Sequence, residues 1–158
     1  MANRLRDAMV FAAIALASCL AAAQNTPPPA ENIFTDRAAS DLLRRLSEAL
    51  QGHSEKKFLA LFDLEKMNGG QLFKQQIDSF FSQTESIRVH LNLMETDKTV
   101  RGDGVPYGAM AVEAEMEVQP WNGGAAWRRS ERLVFTVVHA SKGWKLNDVS
   151  PSSFFSLP

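Results

Sequence analysis

The sequence predicts an α+β domain in which three N-terminal helices pack on a curved antiparallel sheet of four or more strands. Two observations predict this class. Apolar residues recur at helical spacing as far as Phe81, and at every second position after Thr84. The strand-like segments follow one another through turns and loops without intervening helices, which favours an antiparallel sheet with helices on one face.

The length and composition limit the number of domains and the kind of partner. The 158 residues, 45% of them hydrophobic, leave room for one domain with a short extension. The 17 basic and 18 acidic residues give a net charge of -1, which is not the basic footprint of a nucleic-acid-binding protein. We therefore expect no nucleic-acid partner. Cys19 is the single cysteine, so the domain has no internal disulfide and depends on its own core.

The first segment predicts export. Arg4 and Arg6 precede an apolar run over residues 8–17, and polar residues resume at Gln24. A basic start, a short apolar run and small residues after it are typical of a secretory signal peptide. The run is shorter than the roughly 20 residues that a membrane-spanning helix needs. We expect a periplasmic or secreted protein that meets the membrane only through this signal or a lipid anchor.

Two processing sites compete within this segment. Ala21-Ala22-Ala23 favours ordinary cleavage and a signal peptide over residues 1–23. Leu16-Ala17-Ser18-Cys19 resembles a bacterial lipobox, for which the signal is residues 1–18 and Cys19 is the site of lipidation. In either case residues 24–34, with three consecutive prolines, form a stiff spacer, and residues 35–158 form the folded domain.

Three helices are predicted next. The first runs from cap signals at Thr35 and Asp36 to a stop at Gly52. The second begins at Ser54 and carries four apolar residues, Phe58, Leu59, Leu61 and Phe62. The third follows a break at Asn68-Gly69-Gly70 and carries bulky side chains suited to plugging a sheet, namely Leu72, Phe73, Ile77, Phe80 and Phe81.

Four strands are predicted after the helices. They cover residues 87–94, 108–118, 127–139 and 144–149, with a polar loop over residues 97–106. The third strand is apolar at both alternations from Leu133 onward, so we expect both of its faces to be covered there. Phe154-Phe155 closes the chain.

The order of these elements resembles the nuclear transport factor 2-like superfamily, also described as SnoaL-like or cystatin-like. The resemblance covers residues 38–155. Its carriers are Ala49-Leu50, the segment Phe58-Leu59-Ala60-Leu61-Phe62-Asp63, the aromatic third helix, Gly143-Trp144-Lys145-Leu146 and the closing Phe pair. It implies a cone-shaped domain with a cavity between helices and sheet. We expect six residues to line a ligand-binding cavity there: Phe73, Ile77, Phe80, Met110, Phe135 and Trp144.

The resemblance also implies that enzymatic members project a general base into the cone. The candidates for it here are His139 and Asp148, followed by His90 on the polar face of the first strand and Tyr107 at the start of the second. His139 follows apolar residues on one face of the third strand, and Asp148 lies in the last strand. The histidines are scattered, and no glycine-rich loop opens a helix, so we expect neither a metal nor a cofactor.

The outer face of the predicted sheet carries charge. Glu113, Glu115 and Glu117 share one face of the second strand, and Arg128 and Arg132 lie on the next strand. Opposite charges on neighbouring antiparallel strands pair across the ladder. The resemblance implies that this open face is also a surface for a homodimer or a protein partner.

Three functions follow as hypotheses. The first is an exported, non-catalytic module that binds a small apolar ligand or a protein partner. The second is a small cofactor-free enzyme, isomerase-like or dehydratase-like, with His139 or Asp148 as base. The third is a structural envelope lipoprotein tethered through Cys19.

The Cys19→Ala variant distinguishes the two processing sites. If Cys19 is lipidated, the parent protein fractionates with membranes and the variant moves to the soluble fraction. Cleavage after residue 23 leaves both proteins in the soluble fraction. A variant that stays membrane-bound contradicts lipidation at Cys19.

Overall fold

Three helices precede a four-stranded antiparallel sheet in the computed structural model, which describes residues 33–98 and 104–158. The elements are α1 (Asp36–Gln51), α2 (Glu55–Leu59), α3 (Gly70–Ser82), β1 (Thr84–Asp97), β2 (Tyr107–Pro120), β3 (Trp127–Ala140) and β4 (Gly143–Ser150), then a 3-10 turn (Ser152–Phe155). The strands lie in the order β1-β2-β3-β4. The predicted α+β class is confirmed. The signal segment and Cys19 lie outside the described residues.

The helix α1 begins and ends where the sequence predicts. The Thr35 hydroxyl accepts a hydrogen bond from the Ala38 N–H at 3.2 Å, and Gly52 follows the last helical residue. Its apolar stripe is buried, while Arg44 bonds Asp41 and Glu48 on the exposed side. No helix within the described ranges is long and apolar enough to cross a membrane.

The helix α2 is shorter than predicted. It ends at Leu59, so Leu61 and Phe62 lie beyond it. The Leu146 N–H donates to the Leu61 carbonyl at 2.9 Å, and the Asp63 N–H donates to the Leu146 carbonyl at 2.8 Å. These bonds to β4 need an extended chain, so the helix stops before them.

Glycine is required at the start of α3. Gly69 has a φ of 72°, in the left-handed region. A side chain at Gly70 would place its Cβ 2.1 Å from the Leu64 carbonyl oxygen. The left-handed backbone at Gly69 and the close approach at Gly70 therefore explain the predicted break at Asn68-Gly69-Gly70.

The sheet separates its two faces as the alternation predicts. On β2, the side chains of Met110, Val112, Ala114, Met116 and Val118 are buried. The cross-strand pairing is confirmed at Glu117, which bonds Arg128 at 2.5 Å and Arg88 at 3.3 Å. Both arginines are exposed, so each pair contributes at most about 1 kcal/mol.

The prediction that both faces of β3 are covered is wrong at Val134. This side chain is 42% exposed on the outer face, whereas Val138 is buried. Because α1, α2 and α3 pack against the apolar face of the sheet that Leu133 and Phe135 share, Val134 has no helix over it.

Five phenylalanine rings fill the space between the helices and the sheet, with Phe58 at the centre. Its ring centroid lies 5.2 Å from Phe62 and from Phe155, 5.8 Å from Phe81 and 6.5 Å from Phe73. These rings come from α2, α3, the segment after α2 and the closing 3-10 turn. One buried side chain therefore connects four parts of the chain.

Two polar side chains hold the closing turn in place. The Gln76 amide donates to the Ser152 carbonyl at 2.7 Å and to the Phe155 carbonyl at 3.2 Å. The Arg129 guanidinium donates to the carbonyls of Ser153, Phe154 and Ser156. The turn is thus connected to α3 on one side and to β3 on the other.

We expect Phe58→Ala to lower the free energy of unfolding by about 3–5 kcal/mol, because it opens a cavity that four other rings border. Denaturant unfolding monitored by circular dichroism measures the change. The control is Leu72→Ala in α3, whose side chain is 72% exposed. It should change stability by less than about 0.5 kcal/mol. Equal effects of the two substitutions would contradict the central place of Phe58.

Candidate functional site

The interior of the cone is apolar. Phe73, Ile77, Phe80, Met110 and Phe135, five of the six residues predicted to line a cavity, are at most 4% exposed and belong to one hydrophobic core. That they line a ligand cavity stays a prediction.

Within the described residues, Thr84 is the only buried polar residue. Its hydroxyl donates to the Phe80 carbonyl at 3.0 Å and lies within hydrogen-bond distance of the His53 Nε2, at 3.2 Å. His53, which is half-buried, is the titratable side chain bonded to this hydroxyl.

The sixth residue, Trp144, lies in an open groove with the candidate base His139. The groove has a volume of about 420 Å³, and we call it the hairpin groove because the β3–β4 hairpin forms one wall. The start of α1 forms the other wall. Its lining residues are Ile33, Thr35, Arg37, Ala38, Asp41, His139, Ser141, Gly143 and Trp144.

Packing fixes the Trp144 ring in this groove. Trp144 meets His139 edge-to-face at 5.2 Å and Phe34 edge-to-face at 5.0 Å. Phe34 packs over β2 at Gly108, where a side chain would place its Cβ 2.6 Å from the Phe34 ring. The backbone N–H of His139 donates to the Pro106 carbonyl at 3.1 Å. The aromatic wall is therefore preorganised.

The hairpin groove contains one cation and one anion, and only the anion has ion-pair partners among the described residues. Asp41 bonds Arg44 at 2.6 Å and lies 3.9 Å from Arg45, both on its own helix. Arg37, also on α1, lines the groove and forms no ion pair within residues 33–98 and 104–158. The groove thus offers one uncompensated cation beside an indole ring.

Asp148, the second predicted base, lies elsewhere. It is exposed, and its carboxylate accepts a hydrogen bond from the Val149 N–H at 2.8 Å. It pairs with Thr136 across the β3–β4 ladder, three residues from His139, or about 10 Å along the strand. Thr136 and His139 alternate onto opposite faces of β3, so the structure does not bring the two candidate bases together.

Sequence reasoning missed Ile33, Thr35 and Arg37 as site residues. They stand in the predicted spacer and the first turn of α1, about a hundred residues before the hairpin that they face. The spacing of residues along the chain does not predict that these two distant segments lie close together. The sequence contains an arginine and an isoleucine beside a predicted helix start, but only the structure places them in one groove.

The described residues hold no cluster of three or more His, Cys, Asp or Glu side chains that could bind a metal. A carboxyl pair does occur where α2 meets α3. Partial burial raises the pKa of Glu55 above its usual value of 4.5. The charge of Asp78 and a hydrogen bond between the two carboxyl groups add to the rise, and Lys74 opposes it.

This pair makes stability depend on pH. The folded protein binds the Glu55 proton more tightly than the unfolded chain does. Protonated Glu55 therefore adds to the free energy of unfolding below pH 4.5, and this contribution is lost as the pH rises through the higher pKa of Glu55 in the folded protein. Glu55→Gln stays neutral and keeps a hydrogen-bonding group. We expect its Tm to exceed that of the parent protein at pH 7 and to match it near pH 4. A parent protein that gains stability relative to the variant as the pH rises would contradict this assignment.

The chain was compared with known families, curated proteins and solved structures. No protein-family model and no curated protein matches it. Among solved structures, a candidate scytalone dehydratase from Novosphingobium aromaticivorans superposes with a TM-score of 0.60 at 14% identity, over 72% of this chain and 79% of that chain. A candidate aromatic ring hydroxylase from the same organism gives 0.57 at 19% identity, over 72% and 84% of the two chains.

A nuclear transport factor 2-like superfamily protein from Salmonella enterica also superposes, with a TM-score of 0.57 at 10% identity, over 72% of this chain and 86% of that chain. At these identities the likeness concerns the fold. The sequence prediction and the structure agree on three helices, an antiparallel sheet in sequential order and a closing aromatic segment. The chain has the nuclear transport factor 2-like fold.

Proposed function

We propose that the protein is an exported, non-catalytic module that binds a small organic anion with an apolar body in the hairpin groove. One observation carries the proposal. An ordered indole wall and an uncompensated guanidinium share an open groove, at Trp144 and Arg37. Export rests on the signal-like segment of the sequence.

The apolar part of the ligand would contact Trp144, Ala38 and Ile33. The Ile33 side chain is 51% exposed, so a ligand that covers it removes apolar surface from water. Such burial contributes about 25 cal/mol per Å². A flat aromatic or short aliphatic body suits the edge of an indole better than a bulky globular one.

The anionic part of the ligand would pair with Arg37. A guanidinium bonds a carboxylate through two parallel N–H donors, and such charge-assisted bonds are stronger than neutral ones. The hydroxyl of Ser141 and the ring of His139 lie in the same groove and offer further polar contacts. The compensated Asp41 repels an anion less than a free carboxylate would.

A rival proposal is a small cofactor-free enzyme with His139 as base. The position of His139 in the groove favours it, and so do the names of the dehydratase-like and hydroxylase-like structures. A base needs a partner that orients its ring. Within the described residues the His139 ring makes no hydrogen bond, which supports the binding proposal over the enzymatic one.

Calorimetric titration with 2-naphthoate tests the binding proposal. We expect saturable binding that Arg37→Gln weakens at least tenfold, about 1.4 kcal/mol, because the charged contact is lost. The matched control is Arg132→Gln, an exposed arginine on β3 outside the lining, which should leave the affinity within about twofold. The neutral analogue 2-naphthalenemethanol should bind parent and Arg37→Gln equally.

Equal weakening by the two arginine substitutions would contradict a specific role for Arg37. Absence of saturable 2-naphthoate binding would contradict the choice of ligand class. Chemical conversion of a bound anion by the parent protein, lost in His139→Gln while binding persists, would establish the enzymatic rival instead.

A further inference from the structure

A second groove lies at the opposite end of the sheet from the hairpin groove. It has a volume of about 480 Å³, and we call it the tryptophan groove. Its lining residues are Ser82, Gln83, Pro120, Trp121, Asn122, Gly124, Trp127, Leu157 and Pro158. Strand β3 runs from Trp127 here to Ala140 at the hairpin, about 40 Å away. The two grooves are therefore separate sites.

Two indole rings give the tryptophan groove its apolar surface. Trp121 is 61% exposed, and its backbone N–H donates to the Gln83 carbonyl at 3.2 Å, which ties the β2–β3 turn to the end of α3. Trp127 is half-buried, and the Arg129 guanidinium lies 5.1 Å from its ring centre. This cation–π contact holds the ring in place.

The wall opposite the tryptophans is also fixed. Leu157 and Pro158 follow the closing 3-10 turn, whose carbonyls accept hydrogen bonds from Arg129 and Gln76. One guanidinium thus positions both an indole ring and the segment that faces it. A groove held this way does not have to be ordered by its ligand.

The polar groups of the groove are neutral, and each has bonding capacity left. The Asn122 Oδ1 accepts from the Gly124 N–H at 2.9 Å, which leaves the Nδ2 of the same amide as a donor. The Gln83 Nε2 donates to the Ser79 hydroxyl at 2.8 Å, which leaves the Oε1 as an acceptor. No Asp, Glu, Lys or Arg side chain lines the groove in the described part of the chain.

We propose that the tryptophan groove binds an uncharged oligosaccharide. A pyranose ring has an apolar face of C–H groups and a rim of hydroxyls. The C–H face stacks on an indole, whose face carries partial negative charge. Each hydroxyl both donates and accepts, which matches one amide oxygen and one amide N–H. No Asp, Glu, Lys or Arg side chain of the lining offers a partner to a charged ligand, and the nearby Arg129 guanidinium already donates to three carbonyls of the closing segment.

The indole N–H signals of the three tryptophans test this directly in a ¹H–¹⁵N spectrum. The probes are chitotetraose and cellotetraose, two uncharged tetrasaccharides that differ in their acetamido groups. We expect a saturable shift of the Trp121 and Trp127 signals with at least one of them. The Trp144 signal, in the other groove, should stay in place and serves as the internal control.

Substitutions then assign the contacts. Trp121→Ala should weaken the saccharide at least tenfold, and Trp121→Phe should retain most of the affinity because a ring remains. Gln83→Ala should weaken it several-fold through the lost acceptor. Leu72→Ala, an exposed apolar residue outside the groove, should have no effect. The unmoved Trp144 signal reports whether each variant is folded.

Three results would overturn the proposal. The first is the absence of a saturable shift at Trp121 and Trp127 with either saccharide up to about 10 mM. The second is an equal or stronger response to the anionic tetragalacturonate. The third is a saturable response to a proline-rich peptide in place of the saccharides, which would make the groove a peptide-docking site. All three outcomes are independent of 2-naphthoate binding in the hairpin groove.

Discussion

The packing of the phenylalanine rings around Phe58 is the interaction on which the rest of the structure depends. A single buried ring on α2 contacts the segment after that helix, α3 and the closing turn, so these parts hold their positions together. The rings occupy the middle of the cone, and the hairpin groove and the tryptophan groove lie at the two ends of the sheet, each with at least one tryptophan.

Hydrogen bonds and aromatic contacts connect this core to the two grooves. Arg129 and Gln76 fix the closing turn by its carbonyls, and Phe155 in that turn packs on Phe58. At the other end, Phe34 packs between Gly108 and the Trp144 ring. Each groove is therefore built on side chains that the core already orders.

The sequence predicted features that depend on neighbours along the chain. The ends of α1, the break at Gly70 and the two faces of β2 follow from caps, steric restriction and alternation. The sequence prediction failed where a residue distant in the chain determines the local structure. The helix α2 stops early because Leu146 bonds the backbone beyond it, and Arg37 meets Trp144 only through the fold. The indole wall was predicted as part of the site, but its location in an outer groove was not.

The central claim is that a small ligand binds at the outer hairpin groove and leaves the cone interior packed. Intermolecular nuclear Overhauser effects from bound 2-naphthoate test it most directly. We expect contacts to the Trp144 ring and to the exposed Ile33 methyls, with none to Ile77 or Met110 in the core. Contacts from naphthoate to the Ile77 and Met110 methyls would place the ligand inside the cone and contradict the claim.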